Sequence, residues 1–154
     1  MERERKTAGF TLTELLVVLT IIGLLITAAL ASLSSARARA RDSRRVGEVN
    51  TLTKALALYL SIRDQYPQTG GALPGVVVNG TDTVSNDLAE ISLLQGNLID
   101  PADGLTISGE PLAFHYYYFS LDGNEYAITY CLETNSILGQ SSGCGNTLTG
   151  KERD

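Results

Sequence analysis

The residues able to do chemistry in this chain are few and scattered. There is a single histidine, His115, and no serine or cysteine constellation accompanies it, so its type and surroundings point to a sheet residue and not to a catalyst. Two cysteines, Cys131 and Cys144, are the only thiols; with one histidine they are too few for the usual multi-ligand zinc site. The segment Asp100-Pro101-Ala102-Asp103-Gly104, with Glu110 and Asp122 further on, offers several carboxylates, which is the chemistry that calcium requires. It does not match the twelve-residue loop of an EF-hand, so a solvated acidic loop is the plainer reading, with Asp100, Asp103 and Asp122 as weak calcium candidates. Most anomalous is Glu14, a lone carboxylate in an otherwise apolar run. At a helix start it would be favoured by the helix dipole; deeper in lipid it would need a partner.

The elements around these residues divide the chain. Residues 1–45 carry a net charge of +4 and residues 46–154 a net charge of −9, within a total of −5 over 154 residues. An acidic body argues against nucleic-acid binding through it, because phosphate contacts need lysine and arginine. After a short charged leader, Phe10–Leu33 reads FTLTELLVVLTIIGLLITAALASL, with Glu14 as its one charge. As a helix it would extend roughly 36 Å at ~1.5 Å per residue, enough to cross a hydrocarbon core of ~30 Å. Apolar on every side, it requires lipid or other helices around its whole circumference. A secretory signal would have a shorter apolar run, and a plain single-span anchor leaves Glu14 unexplained.

The string Gly9-Phe10-Thr11-Leu12-Thr13-Glu14-Leu15-Leu16-Val17-Val18 resembles the prepilin signal of type IV pilins and type II secretion pseudopilins. The resemblance covers about 25 residues and requires leader, Gly-Phe junction, glutamate spacing and apolar run to coincide. It implies cleavage after Gly9 by a prepilin peptidase, N-methylation of Phe10, and a role for Glu14 in entering a filament. A filament core of packed apolar helices would bury each new α-amino group, and a carboxylate of the adjacent subunit would offset that charge. Many major pilins carry a proline late in the apolar run; this chain has none before Pro67, and its motif is common to pilus, pseudopilus and competence filaments. The implied partners are the peptidase, identical or related pilin subunits, an inner-membrane assembly platform and, before assembly, membrane lipid.

The resemblance implies an α+β fold: one long N-terminal helix packed on a small antiparallel sheet. Its parts are a leader over 1–9, a membrane or filament-core helix over 10–33, an amphipathic continuation over 34–66 and a β-rich globular part over 67–154. Arg37, Arg41 and Arg45 fall at i, i+4 and i+8, so they form one helix stripe. The stripe is expected to be solvated and to meet acidic residues of neighbouring subunits; anionic lipid and, less readily, DNA are other partners for it. Counting arginines alone would put these residues in the cytoplasm. The signal instead implies a cytoplasmic leader and an extracytoplasmic body before assembly, then a cell-surface or periplasmic filament.

Val46, Val49, Leu52, Leu56, Tyr59 and Ile62 recur at helical spacing, and Tyr66-Pro67 ends the pattern. Gly47 is the expected weak point. Val76-Val77-Val78 reads as a short strand, and Asn86-Asp87 as the cap of a brief helix running to about Gln95. The strongest β signal spans Ala113–Leu132: two aromatic-rich runs flank Asp122-Gly123, placing Phe114, Tyr116 and Tyr118 on one face and Tyr126, Ile128 and Tyr130 likewise. In an extracytoplasmic body the two cysteines are expected to pair, closing a short loop for roughly 3 kcal/mol. Major pseudopilins often bind calcium in this C-terminal region, which is the second motive for the acidic residues above.

Overall fold

A computed structural model describes residues 10–71, 73–91 and 98–151. The chain divides into two compact units, one up to Arg37 and one from Ala38 onward. The first is the N-terminal part of helix α1 (Leu12–Arg63). The second, the body, contains the rest of α1, strand β1 (Val76–Val77), helix α2 (Thr83–Glu90), and strands β2 (Tyr117–Phe119), β3 (Glu125–Leu132) and β4 (Gly143–Lys151). The strands form one antiparallel sheet in the order β1-β2-β3-β4. The fold is the expected α+β arrangement.

Helix α1 runs through Gly47 without a break because no proline interrupts its hydrogen bonds. It ends at Arg63, where Asp64 turns into the left-handed region (φ 57°) and still donates its N–H to Leu60 O at 2.9 Å. Aspartate tolerates that conformation better than most residues. Within the body, α1 buries Val49, Leu52, Ala55, Leu56 and Tyr59 against Tyr116, Tyr118, Tyr126, Ile128, Tyr130 and Leu132 of the sheet side. Ile62 is exposed, contrary to the periodicity, and Tyr66 beyond the helix end joins the core instead, edge-on to Tyr126 at 4.7 Å. Tyrosines suit this interface because their hydroxyls still find acceptors: Tyr118 donates to Pro67 O at 2.9 Å and Tyr116 donates to Glu48. Burial pushes the pKa of both well above the ordinary tyrosine range, and the Glu48 contact raises that of Tyr116 further.

Three local expectations need correction. The first strand of the hairpin is shorter than Ala113–Ser120. Its start turns back instead, with Phe114 N donating to Leu105 O at 2.7 Å and an isolated bridge between Thr106 and Ala113. Helix α2 begins earlier than Asn86, because Asp82 caps it by accepting from Ser85 N at 2.9 Å. It ends at Glu90, and the proposed extension to Gln95 falls outside the described residues. Finally, the sheet has a strand, β4, that no hydrophobic pattern announces, since GCGNTLTGK carries only one branched aliphatic side chain. Cys131 and Cys144 form a disulfide that ties the start of β4 to the end of β3, beside a register shift at Tyr130/Cys131.

Candidate assembly segment and the ion cluster of the body

The start of α1 is built from two residues. Thr11 N donates to Glu14 Oε2 at 3.1 Å and Thr11 Oγ1 to the same oxygen at 2.8 Å, while Glu14 N donates to Thr11 Oγ1 at 3.3 Å. This is the reciprocal capping box of a Thr-x-x-Glu sequence ahead of an apolar run. It satisfies amides that a helix start leaves without partners. Glu14 therefore sits at the helix start and not in its interior, as the dipole argument expected. Phe10 is 82% exposed next to it; the preceding residue, Gly9, with the rest of the leader, lies outside the described residues.

From Leu12 the apolar side chains point outward on all sides. Leu15, Leu16, Val17, Leu19, Ile22, Leu25 and Ile26 are all exposed, and the most apolar 18-residue window has a mean hydropathy of 2.6 with none of it buried. Thr20 and Thr27 hide their hydroxyls by donating to Val17 O and Gly23 O, at 2.7 and 2.9 Å. By length and composition this helix can cross a membrane. The apolar part of the helix, residues 12–33, covers no core among the described residues, so it carries a surface for lipid or for other helices.

The arginine stripe is resolved quite differently from a solvated face. Arg45 is completely buried in the body, and three carboxylates converge on it. Its Nε and Nη2 donate to the two oxygens of Asp100 at 2.8 and 2.9 Å, and Nη1 donates to Asp42 at 2.7 Å and Glu133 at 2.8 Å. The guanidinium also lies 4.4 Å from the centre of the Phe114 ring. Burial alone would lower the pKa of Arg45, but Asp100, Glu133 and Asp42 outweigh it and raise that pKa above the ordinary arginine value. Arg41 holds Glu133 through two bonds of 2.7 and 2.5 Å, and this contact, partly opposed by burial, keeps the Glu133 carboxyl below its ordinary range.

Asp42 also accepts from Glu133 N, Thr134 N and Thr134 Oγ1, all within 2.9 Å, so one helix turn clamps both the chain leaving β3 and the Asp100 loop. Arg44 is engaged by Glu48 at 2.7 Å. Of the five arginines, only Arg37 and Arg39 are exposed with no ion pair among the described residues. The expectation that Arg41 and Arg45 meet neighbouring subunits is thus corrected: both are used inside their own body.

The carboxylates considered for calcium are not brought together. Asp100 is the partner of Arg45, Asp103 contacts His115 Nδ1 at 2.8 Å, and Asp122 accepts from Asn124 in its own turn. Among the described residues no group of three such ligands converges. His115 packs against Tyr117 as a sheet-flanking residue, with ring centres 5.9 Å apart. The Arg45 cluster leaves no local mark in the sequence, because Asp100 and Glu133 lie 55 and 88 residues away. The capping box, by contrast, has a local signal in the Thr-x-x-Glu spacing of Thr11 and Glu14.

Comparison with known proteins adds to this geometry. Residues 5–30 match the model of the prokaryotic N-terminal methylation motif. The chain is 32% identical over 82 residues to type II secretion system core protein G of Vibrio cholerae, covering 53% of this chain and 56% of that protein. It is 31% identical over 75 residues to the protein of the same name from Aeromonas hydrophila, covering 49% and 52%. The chain thus spans about half the length of each of these relatives, and no solved structure matches it significantly. This chain thus carries the prokaryotic N-terminal methylation motif, most of it on the capped, outward-facing apolar helix, and over about half its length it is similar to type II secretion system core protein G.

Proposed function

We propose that this chain is a structural subunit of a type II secretion-type pseudopilus or a related type IV pilus-like filament. The observation that carries the reading is the coincidence of the methylation motif over residues 5–30 with an apolar helix exposed around its whole circumference. In this reading a prepilin peptidase cleaves between Gly9 and Phe10, and Phe10 becomes the methylated N-terminus. The helix holds the subunit in the inner membrane, with the body on the extracytoplasmic side where the Cys131–Cys144 disulfide is kept oxidised. An assembly platform then transfers the helix from lipid to a core of identical or related helices. Both surroundings cover the same apolar surface, which is why one segment can serve in each.

Glu14 has a defined part in that transfer. Its Oε2 is held by Thr11, while Oε1 accepts no hydrogen bond from the described residues and is available to the α-amino group of a neighbouring Phe10. A buried α-amino cation without such a partner is strongly unfavourable, so the pairing favours one axial step between subunits. The function is mechanical and needs no reaction at His115 or the acidic loops. Intact mass and N-terminal sequence of the chain made in a host with a prepilin peptidase test the proposal. A chain beginning at Phe10 and heavier by one methyl group is expected. A start near Ser32, or an intact Met1, would overturn it.

A further inference from the structure

The two ends of the body are unlike. At one end, marked by Arg41 and Asp42 of α1 and by Leu132 of β3, the loop 133–142 projects a turn closed by Gln140 N donating to Ile137 O at 3.1 Å. Ile137 packs on the core, and the next residue, Leu138, is 101% exposed. In the same region Arg41, Arg44 and Arg45 are engaged by the four carboxylates Asp42, Glu48, Asp100 and Glu133, and among the described arginines of the body's part of this run Arg39 is the one without an ion pair. The turn itself, Asn135–Ser142, holds no charged residue.

The other end lies a full strand away, about 26 Å along the eight residues of β3. It is marked by Gly123, whose O accepts from Tyr66 N at 2.8 Å just past the end of α1. A cavity of about 250 Å³ opens here, lined by Phe119, Leu121, Glu125, Tyr126, Ala127 and Thr149. Leu121 is 64% exposed at its mouth. That volume exceeds the ~150 Å³ of an apolar void able to admit benzene, so a leucine side chain fits. The exposed carboxylates Asp64, Asp122 and Glu125 surround this end, against Lys151 opposite Glu125 and an Arg63 already held by Glu90.

A projecting apolar side chain with an unpaired cation thus faces one way, and an apolar cavity among carboxylates faces the other. Surfaces that match head to tail without closing generate an open helical array. We propose that bodies of successive copies of this chain dock head to tail, with Leu138 of one copy seated in the Phe119–Leu121–Ala127 cavity of another and Arg39 facing Asp122 and Asp64. The inference rests on the filament reading above. One leucine and one cation make a weak contact, which becomes effective only when the N-terminal helices already hold the copies at high local concentration. Its role is to fix the rotation of each body in an array held by those helices.

The test is a cysteine pair in the full chain, assembled in a host with the peptidase and assembly machinery. Leu138→Cys with Leu121→Cys, mildly oxidised, is expected to give a ladder of dimers, trimers and longer species on a non-reducing gel, and each single variant none. The native cysteines do not interfere, being joined to each other. Arg39→Glu in that background is expected to reduce the ladder at least fivefold, and adding Asp122→Arg to restore it. Filaments that form without a ladder would overturn the docking and leave the filament reading standing. Dimers from Leu121→Cys alone, or its capture by a different protein in place of a second copy, would overturn it as well. No filaments from the unsubstituted chain would overturn the filament reading, and the docking with it.

Discussion

Replacing Arg45 by methionine isolates what the buried ion cluster contributes. Methionine keeps much of the side-chain volume but removes four hydrogen bonds to Asp100, Asp42 and Glu133 and the contact over Phe114. Asp42 retains the two amides and the hydroxyl of the Glu133–Thr134 segment, whereas the Asp100 carboxylate retains only Ala102 N at 2.7 Å. Asp100 becomes a buried carboxylate without a cation, for which the cost is about 3–5 kcal/mol. At a urea m-value of ~2 kcal/mol per molar, the midpoint should fall by about 2 M. Near-ultraviolet circular dichroism of the detergent-solubilised full chain reads this through the buried tyrosines. Arg39→Met, which breaks no ion pair, should stay within ~0.5 kcal/mol of the parent. A triple variant with Asp42→Asn and Asp100→Asn should recover part of the loss, because the unpaired charge is then gone. An Arg45→Met chain within 1 kcal/mol of the parent would refute the assignment of Arg45 as the pairing centre.

Removing the disulfide by Cys131→Ser with Cys144→Ser should cost roughly 3 kcal/mol, with the loss read by urea unfolding and β4 amides exchanging faster in hydrogen-exchange measurements. Glu133 is held below its ordinary carboxylate pKa, first by Arg41. It therefore contributes stability that is fully present above the unfolded carboxylate pKa of ~4.3 and is lost as the pH falls through its lower folded value. Glu133→Gln should flatten the stability–pH curve in that acidic window, as measured by unfolding midpoints between about pH 2 and 5. Gly150→Ala should be destabilising by about 1–3 kcal/mol, since a Cβ there would clash with the buried Tyr126 ring, and thermal unfolding gives the measurement.

How much was legible in the sequence follows the range of each signal. The capping threonine, the glutamate and the apolar run lie within one short window, and the helical face Val49–Leu52–Leu56–Tyr59 repeats every three to four residues. Both were readable from local spacing. The aromatic runs around Asp122-Gly123 were readable for the same reason, and the structure keeps their buried face while shortening the first strand to Tyr117–Phe119. Arg41 and Arg45 are indistinguishable by spacing from solvated residues, because a helix stripe of arginines carries no mark of what packs over it. Their partners arrive from loops far along the chain. Strand β4 escaped because its pairing is made by backbone and by a disulfide, with glycines and threonines that give almost no hydrophobic period.

The charge between the apolar run and the amphipathic part of α1 bears on how such a subunit could be handled. Five arginines in nine residues would bind strongly to anionic lipid if all were free, since each basic residue near a membrane surface contributes about 1 kcal/mol. Three of the five are instead neutralised within the body, by Glu48, by Glu133, and by the convergence of Asp42, Asp100 and Glu133 on Arg45. What remains for an anionic surface is Arg37 and Arg39. A subunit that must leave the bilayer for a filament gains from that reduction, because each guanidinium already paired inside the body is one fewer contact to break on extraction. The same pairs give the Asp100 loop and the chain after β3 their anchor, and in the filament reading proposed above they would also limit the subunit's hold on lipid. On this argument Glu133→Gln, which frees Arg41, should strengthen binding of the full chain to vesicles rich in anionic lipid and should do so less as salt is raised. Cosedimentation that is unchanged by the substitution would show that the internal pairs do not set the lipid contact.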